Sequence, residues 1–465
     1  LSPADHHAYH HDNPDYHHGN FANGSEPSMR TIPTLVEGDD RADDPDLPTF
    51  ELPATDYGEM FLNQLYEVLT EYGEIHEVWF DGAQGHIPGD AHEPYDWESY
   101  YELINELAPE AVIAVSGPDV RWVGNESGWA RENEWSVVGA ATDANGRQYT
   151  YPSAQQSDLG SRSVLADAAA NGIDYLTWWP AEVDVSIRNG WFYHDNQQPK
   201  SLDHLRQIYY DSIARNSVLL LNIPPDPSGQ FADADVEVLK EWHQSTERDF
   251  ALDHAKDAAI HAENGAEGAD PDKLTDGIYD SSWEAADAAP SSITFTMDEE
   301  VAVDRITLQE NINHGQQVES FAIDVRNSDG EWEEIYTNEV IGYKRIVVLD
   351  EEVTGKEFRL RILQSRAPVH ISKVGLHQSL PEEVTTSIVQ KLIEHNVDKN
   401  EAAHSLNLHM KAVSLYAEQG ESEKVVRHME GFKILLDHQL DNDLISLDVY
   451  NILHSQAEEL IKEWE

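Results

Sequence analysis

Short, nearly continuous apolar runs alternate with amphipathic stretches over the first half of this chain, and no other feature narrows its fold as much. The runs are HEVWFDG (76–82), AVIAVSG (111–117), EWSVVGA (134–140), DYLTWWPAE (174–182) and SVLLLNIPP (217–225). Between them, YGEMFLNQLYEVLTEYG, DWESYYELINELAP, SVLADAAANG and SLDHLRQIYYDSIARN repeat apolar residues every three or four positions, the period of a helix with one buried face. Strands that are apolar along their whole length are buried on both faces, the mark of a parallel sheet covered by helices. Five of them with polar C-terminal ends predict a (β/α)8 barrel of the TIM type, whose chemistry gathers at that end. A doubly wound sheet is the structural rival, but the sequence offers no glycine-rich phosphate loop for it. Residues 1–56 show no convincing strand and read as a long loop. If the runs are the last strands of a barrel, about three strands precede Leu1 and the sequence is part of a longer protein.

From about His254 the pattern changes to short alternating strands, including SSITFTM, VAVDRITLQE, YKRIVVLDEE, EFRLRILQSR and ISKVGLHQ. Their spacing predicts an antiparallel β-sandwich. From Leu380 the period is helical again, in EVTTSIVQKLIEHN, KVVRHMEGFKILLDHQL and SLDVYNILHSQAEELIKEW. Ser446 followed by Val449, Ile452, Leu453 and Leu460 predicts a capped amphipathic helix in a small bundle. The expected architecture is therefore multidomain: a barrel in 1–252, a sandwich in 253–378 and a helical bundle in 379–465.

The composition excludes several classes of partner. A formal charge of −58, from 88 acidic and 30 basic residues, repels nucleic acid and anionic lipid. No apolar stretch reaches the ~18 residues that a membrane span requires. There are no cysteines, so neither disulfides nor thiolate chemistry enter. The carboxylates are spread along the chain, a pattern that keeps a protein hydrated in brine, where salt screens their repulsion. A halophilic or salt-tolerant source is expected.

The polar strand ends carry the candidate chemistry. Asp81 ends the apolar run 76–82; an aspartate before glycine also serves as a plain turn former. GPDVRWVGNESGWARENEW (117–135) then gathers Arg121, Trp122, Asn125, Glu126, Trp129, Glu132, Glu134 and Trp135, and WWPAEVDVSIRNGWFYHDN (178–196) repeats the combination. Tryptophan rings stack on sugar C–H faces while carboxylates and amides bind hydroxyls. A retaining glycosidase needs two carboxyl groups about 5–5.5 Å apart, one nucleophilic and one proton-donating. Asp81 with a later glutamate could supply them, and Glu126, Glu132, Glu134 and Glu182 all stand as candidate acids.

HEVWFDGA, GPDVRWVGNESGWARENEW, YLTWWPAEVDVSIRNGWFYHDNQQ and NSVLLLNIPPDPSGQF together resemble the family 29 α-L-fucosidases, closest to the branch acting on α-1,3/1,4-linked fucose. The resemblance covers nearly all of residues 1–250. It implies a fucosylated oligosaccharide or glycoconjugate as substrate, with no cofactor for catalysis. It maps the nucleophile onto Asp81 and the general acid/base onto Glu126. It further implies that Trp79, Arg121, Trp122, Glu134, Glu182, Asp184, Arg188 and Trp191 line the sugar or its aglycone. A structural network is the plainer reading of Glu182, Asp184, Arg188 and Trp191. The family's His-His-Asp-Gly-Phe stretch, with its fucose-binding histidine, has no counterpart here. The paired histidines of DHHAYHHD and YHHGN lie outside that context, and adjacent loop histidines make poor metal-ligand geometry.

DKLTDGIYDSSW (272–283) and the strands after it resemble the discoidin-type (F5/8 C-like) module. Such modules often hold a structural calcium, with Asp276 as the candidate ligand here. The last region resembles the FIMAH-type helical modules of secreted bacterial carbohydrate-active enzymes, which implies an extracellular location. Two other functions fit the same sequence: a glycan-binding protein with a truncated barrel, and a retaining glycosidase for a different sugar. The acidity generates its own prediction, that the melting temperature rises from low salt to molar sodium chloride. Peak stability without added salt would refute a halophilic design.

Overall fold

The computed structural model describes residues 2–3, 26–81, 95–115, 117–143, 148–171, 173 and 175–465. The chain forms two compact units, Leu1–Val185 with Asn216–Leu220, and Ser186–Arg215 with Leu221–Glu465.

In the first unit an antiparallel pair, β1 (Ser28–Ile32) and β2 (Phe50–Ala54), precedes helix α1 (Asp56–Glu71). The expectation of a strandless loop over 1–56 is thereby corrected. Met29 is 60% exposed and β2 contains Pro53, so neither strand shows the apolar run that marks a covered one. Helix α1 starts at Thr55, whose side chain accepts from the Gly58 amide at 2.9 Å, satisfying a donor that the first turn leaves unpaired. Gly58 has no room for a side chain, since a Cβ there would lie 1.9 Å from Asp96 Oδ2. Tyr57, Phe61, Leu62, Leu65, Tyr66 and Leu69 form the buried face of α1. That face packs with Val78, Phe80 and helix α2 (Trp97–Leu107) through Tyr100, Leu103 and Ile104.

The strands that follow are β3 (Glu77–Trp79), β4 (Val112–Val115), β5 (Val120–Trp122), β6 (Val137–Thr142) and β7 (Gln148–Tyr151). Helix α3 (Arg162–Ala170), β8 (Tyr175–Trp178), β9 (Ala181–Ser186) and β10 (Ser217–Asn222) complete this part. One sheet has the order β10-β9-β5-β4-β3, with parallel pairing from β3 through β9. It is a half-barrel; the described residues do not close a complete barrel. Two expected barrel strands are corrected. β6 and β8 leave the parallel sheet and join β7 in a separate antiparallel sheet. Tyr149, Tyr175, Leu176 and Trp178 are each exposed by 36% or more, so these apolar runs do not mark a sheet covered on both faces. Their places in the parallel sheet go to the three-residue β5 and to β9.

The second unit holds α4 (Leu202–Ser212), α5 (Asp233–Phe250), a sandwich and a bundle. The sandwich strands are β11 (Leu252–Asp253), β12 (Ala259–Glu263), β13 (Trp283–Glu284), β14 (Ser291–Glu310), β15 (Val318–Arg326), β16 (Trp332–Asn338), β17 (Arg345–Ser365) and β18 (His370–Gln378). Their order is β11-β18-β14-β17-β15-β16, with β12 against β14 and β13 against β18. β14 and β17 run for 20 and 21 residues. Their ladder breaks between Thr296 and Val301 and again between Val303 and Arg305, the irregularities that let a long strand bend. Trp283, Phe295, Phe321 and Phe358 fill the interior. The bundle comprises α6 (Thr386–Asn396), α7 (Asn400–Glu418), α8 (Ser422–Asp441) and α9 (Leu447–Trp464), packed through Leu392, Met410, Phe432 and Leu453. Ser446 caps α9 as expected, accepting from the Val449 amide at 3.3 Å.

Helices α4 and α5 meet the sandwich at a polar knot. Tyr210 donates to Asp249 at 2.6 Å, and Arg305 of β14 donates to the Tyr210 oxygen at 2.8 Å and pairs with Asp249 at 3.3 Å. At the far end of β14, Glu310 is 1% exposed and accepts from the amides of Gln317, Val318 and Gly342 at 2.7, 3.0 and 2.8 Å. Glu310→Ala leaves three amides in this buried pocket without their acceptor, which is expected to cost about 3 kcal/mol or more. The loss should appear as a lower midpoint in denaturant unfolding of the sandwich.

Candidate active site

The half-barrel sorts side chains by strand alternation. Val78 and Phe80 face the helices α1 and α2, so Glu77, Trp79 and Asp81 project from the other face. On β9, Ala181 and Val183 pack with Val123 and Ala130, which sends Glu182 and Asp184 to the opposite side. Two indoles join the strands. Trp79 Nε1 donates to Glu182 Oε1 at 2.6 Å, and Trp122 Nε1 donates to Asp184 Oδ1 at 2.8 Å.

The first contact spans β3 to β9, with β4 and β5 between them. Three strand spacings of about 4.8 Å separate such strands along a sheet. A 2.6 Å bond between their side chains therefore requires the sheet to curl. The carboxyls and indoles lie on the concave side of that curl.

Glu182 and Asp184 are 2% and 3% exposed. Burial, followed by a hydrogen bond and charge repulsion from Glu77, pushes the Glu182 carboxyl up to about 8, against the Trp79 indole. Burial also raises Asp184; the Trp122 indole opposes it, and the negative charges of Glu126 and Asp81 add to it. Asp81, Glu126 and Asp184 thus belong to one electrostatic cluster. Glu126 is exposed on the loop after β5. Asn125 braces that loop by donating to Trp129 O at 3.0 Å and accepting from the Ser127 amide at 2.9 Å. Gly124 has φ +108°, and a Cβ there would lie 2.6 Å from Ala154 O, so the loop turns where only glycine fits. Glu132 is exposed.

Arg121 and Glu134 do not join this cluster. They form a buried ion pair, 1% and 0% exposed, on the face of β5 opposite Trp122. Arg131 completes it, its Nη1 2.8 Å from Glu134, while Arg121 also donates to Trp179 O at 2.9 Å. Asn216 holds the Glu134 carbonyl at 2.8 Å. Strand alternation places Arg121 on the face of β5 away from Trp122, so the structure shows these two expected sugar-lining residues in a buried ion pair. In the second unit Arg188 is locked to Asp235 at 2.9 Å, donates to Gln197 O at 2.7 Å and stacks over Tyr193. Trp191 is 38% exposed. In the sandwich Asp276 accepts from the Ile278 amide at 2.8 Å in a tight turn. Among the described residues no group of three His, Asp or Glu side chains is placed to hold a metal, so the side chains do not by themselves build a calcium site. The paired histidines and the residues after Asp81, 82–94, lie outside the described residues.

Glu77, spaced two from Trp79 and four from Asp81, lies on their face of β3.

Three family profiles match successive parts of the chain. The α-L-fucosidase family profile matches residues 4–245, the F5/8 type C domain 257–374 and the FIMAH domain 385–462. Alpha-L-fucosidase 1 of Arabidopsis thaliana is 32% identical over 359 residues, covering 76% of this chain and 67% of that protein. The Ruminococcus gnavus GH29 fucosidase solved in complex with fucose is 25% identical with a TM-score of 0.61, covering 70% of this chain and 66% of that one. A Bacteroides ovatus structure is 36% identical with a TM-score of 0.57, covering 71% and 53%. The chain belongs to the α-L-fucosidase family. It spans little more than half the length of the Bacteroides ovatus protein.

Removing one partner of a buried ion pair strands the others. Glu134→Ala leaves Arg121 and Arg131 without their carboxylate and is expected to cost about 3–5 kcal/mol. Urea unfolding of the variant against the parent measures this.

Proposed function

We propose that this protein hydrolyses α-L-fucosides of oligosaccharides or glycans, with retention at the anomeric carbon, and that α-1,3/1,4-linked fucose is its natural target. The observation that carries the reading is the pair of indole–carboxylate contacts, Trp79 to Glu182 and Trp122 to Asp184, on the face toward which β3 presents Asp81, in a family with a member solved with fucose. Asp81 attacks the anomeric carbon while Glu126 gives its proton to the leaving oxygen. Positive charge grows on the sugar ring in the transition state, and the surrounding carboxylates stabilise it. Glu126 then takes a proton from water, which hydrolyses the fucosyl-enzyme and frees Asp81. Trp79 and Trp122 hold Glu182 and Asp184 in place and offer their ring faces to the sugar.

The FIMAH-type bundle and the acidic surface support an extracellular, salt-tolerant enzyme. Calcium in the sandwich would have Asp276 as its carboxylate ligand and loop carbonyls as the remainder.

Asp81→Ala is expected to abolish turnover of an aryl fucoside, with exogenous azide restoring part of it as a fucosyl azide. A fully active variant would refute the assignment. Glu126→Ala should slow natural oligosaccharides far more than aryl fucosides with good leaving groups, which need little protonation. Equal losses on both substrates would transfer the acid role to another carboxyl. Binding of fucose with no turnover by the parent chain would favour a glycan-binding protein instead.

A further inference from the structure

Strand β11 belongs to the sandwich and the bundle at once. Leu252 and Asp253 pair with Gln378 and His377 of β18, while Ala251 and Leu252 are buried in the apolar core of the bundle. Two consecutive residues at the end of α6 hold this segment. Asn396 Nδ2 donates to Ala251 O at 3.1 Å, and the Asp253 amide donates to His395 Nε2 at 3.0 Å.

The second bond fixes a protonation state. A backbone N–H only donates, so His395 Nε2 must accept, and the neutral ring carries its proton on Nδ1, 3.4 Å from Asp257 Oδ2. An imidazolium has N–H groups at both nitrogens. Protonation therefore sets donor against donor and leaves the Asp253 amide without its acceptor. Two more histidines share the joint. The His254 ring lies 5.6 Å from that of His395, and His377, 3% exposed, stands edge-on to Phe250 at 5.1 Å.

The charged groups around His395 divide. Asp257 and the carboxyl end of α6 favour an imidazolium, but the Asp257 side chain is 73% exposed, where an ion pair contributes little. The Asp253 carboxylate is already engaged, accepting from the Leu376 amide at 2.9 Å and the Ala255 amide at 3.2 Å. Lys256 and His254 oppose a positive ring at His395, and Lys391 on α6 and Lys373 on β18 oppose one at His254 and His377. Losing the acceptor of a part-buried amide outweighs a solvated ion pair. Burial holds His395 below the ordinary histidine range, against the pull of Asp257, and pushes His377 down to about 4.

We propose that His395 is an acid-sensitive latch: neutral, it ties α6 of the bundle to β11, and protonated, it releases the Asp253 amide so that residues 250–257 and the end of α6 loosen together. The latch stands whether or not the chain hydrolyses fucosides.

The sign of the stability effect follows. A histidine freed from the joint takes its proton near pH ~6.5, while burial delays uptake in the closed joint to lower pH. The stability that the latch supplies is complete above ~6.5 and is lost progressively as the pH falls toward the value of the closed joint.

Hydrogen exchange followed by mass spectrometry on the full chain tests the latch at pH 7.5 and 5.5, with rates corrected for chemical exchange at each pH. A histidine that protonates only when the joint is open favours opening up to about tenfold more at pH 5.5 than at pH 7.5. In the parent, residues 250–257 and 386–396 should lose protection by that factor, while strand β15 keeps its own. His395→Gln presents an amide oxygen to the Asp253 N–H and does not titrate, so the factor should be missing. His395→Phe, which offers no acceptor, should exchange fast in 250–257 at both pH values.

The same pH dependence in His395→Gln as in the parent overturns the latch. Loss of protection in β15 in step with the joint also overturns it, because the opening is then global. Should the variants not fold, the parent alone decides: protection of 250–257 that is equal at the two pH values refutes the proposal.

Discussion

The bond between Trp79 and Glu182 sets the shape on which the site depends. A flat sheet would hold β3 and β9 too far apart for any such contact. Because the sheet curls, residues from three separate strands and one loop converge on a common polar space. The convergence has an electrostatic cost, since Glu77, Asp81, Glu126, Glu182 and Asp184 are all acids. Two indole N–H groups offset it. The cations sit behind the concave face, where Arg121 and Arg131 clamp Glu134 and anchor the loop that presents Glu126.

This division between front and back explains which parts of the site were legible. Asp81 could be found because it ends an apolar strand, a pattern with a period and a direction. Glu126, Glu132 and Glu134 share one loop and one residue type, so composition could not rank them. What separates them is facing, which depends on register, and a shift of one residue reverses it. Arg121 and Trp122 are neighbours in sequence on opposite faces of β5 for that reason alone. A glutamate that opens a strand, as Glu77 does, looks like a solvated end; its place on the face of Trp79 and Asp81 follows only from strand alternation.

The fold was legible where periodicity was long. Helices α1, α2 and α9 and the sandwich emerge from apolar spacing, cap residues and turn chemistry. Short elements were not. β5 has three residues between Asp119 and Val123, too few to show a period, and its proximity to a tryptophan-rich loop disguised it. β6 and β8 are long and apolar enough to imitate barrel strands, yet they pair antiparallel with β7 and leave aromatic rings in solvent.

The knot of Tyr210, Asp249 and Arg305 bears on how this protein could evolve or be cut. Arg305 comes from the sandwich, while Tyr210 and Asp249 belong to helices that precede it in the chain. A chain ended after Leu252 would keep Asp249, Tyr210 and Arg206, which pairs with Asp249 at 2.9 Å, and would lose the contacts that Arg305 makes to the first two. The sandwich is therefore tied to the two helices before it by a shared polar network, so a cut between them removes side-chain contacts as well as a length of chain.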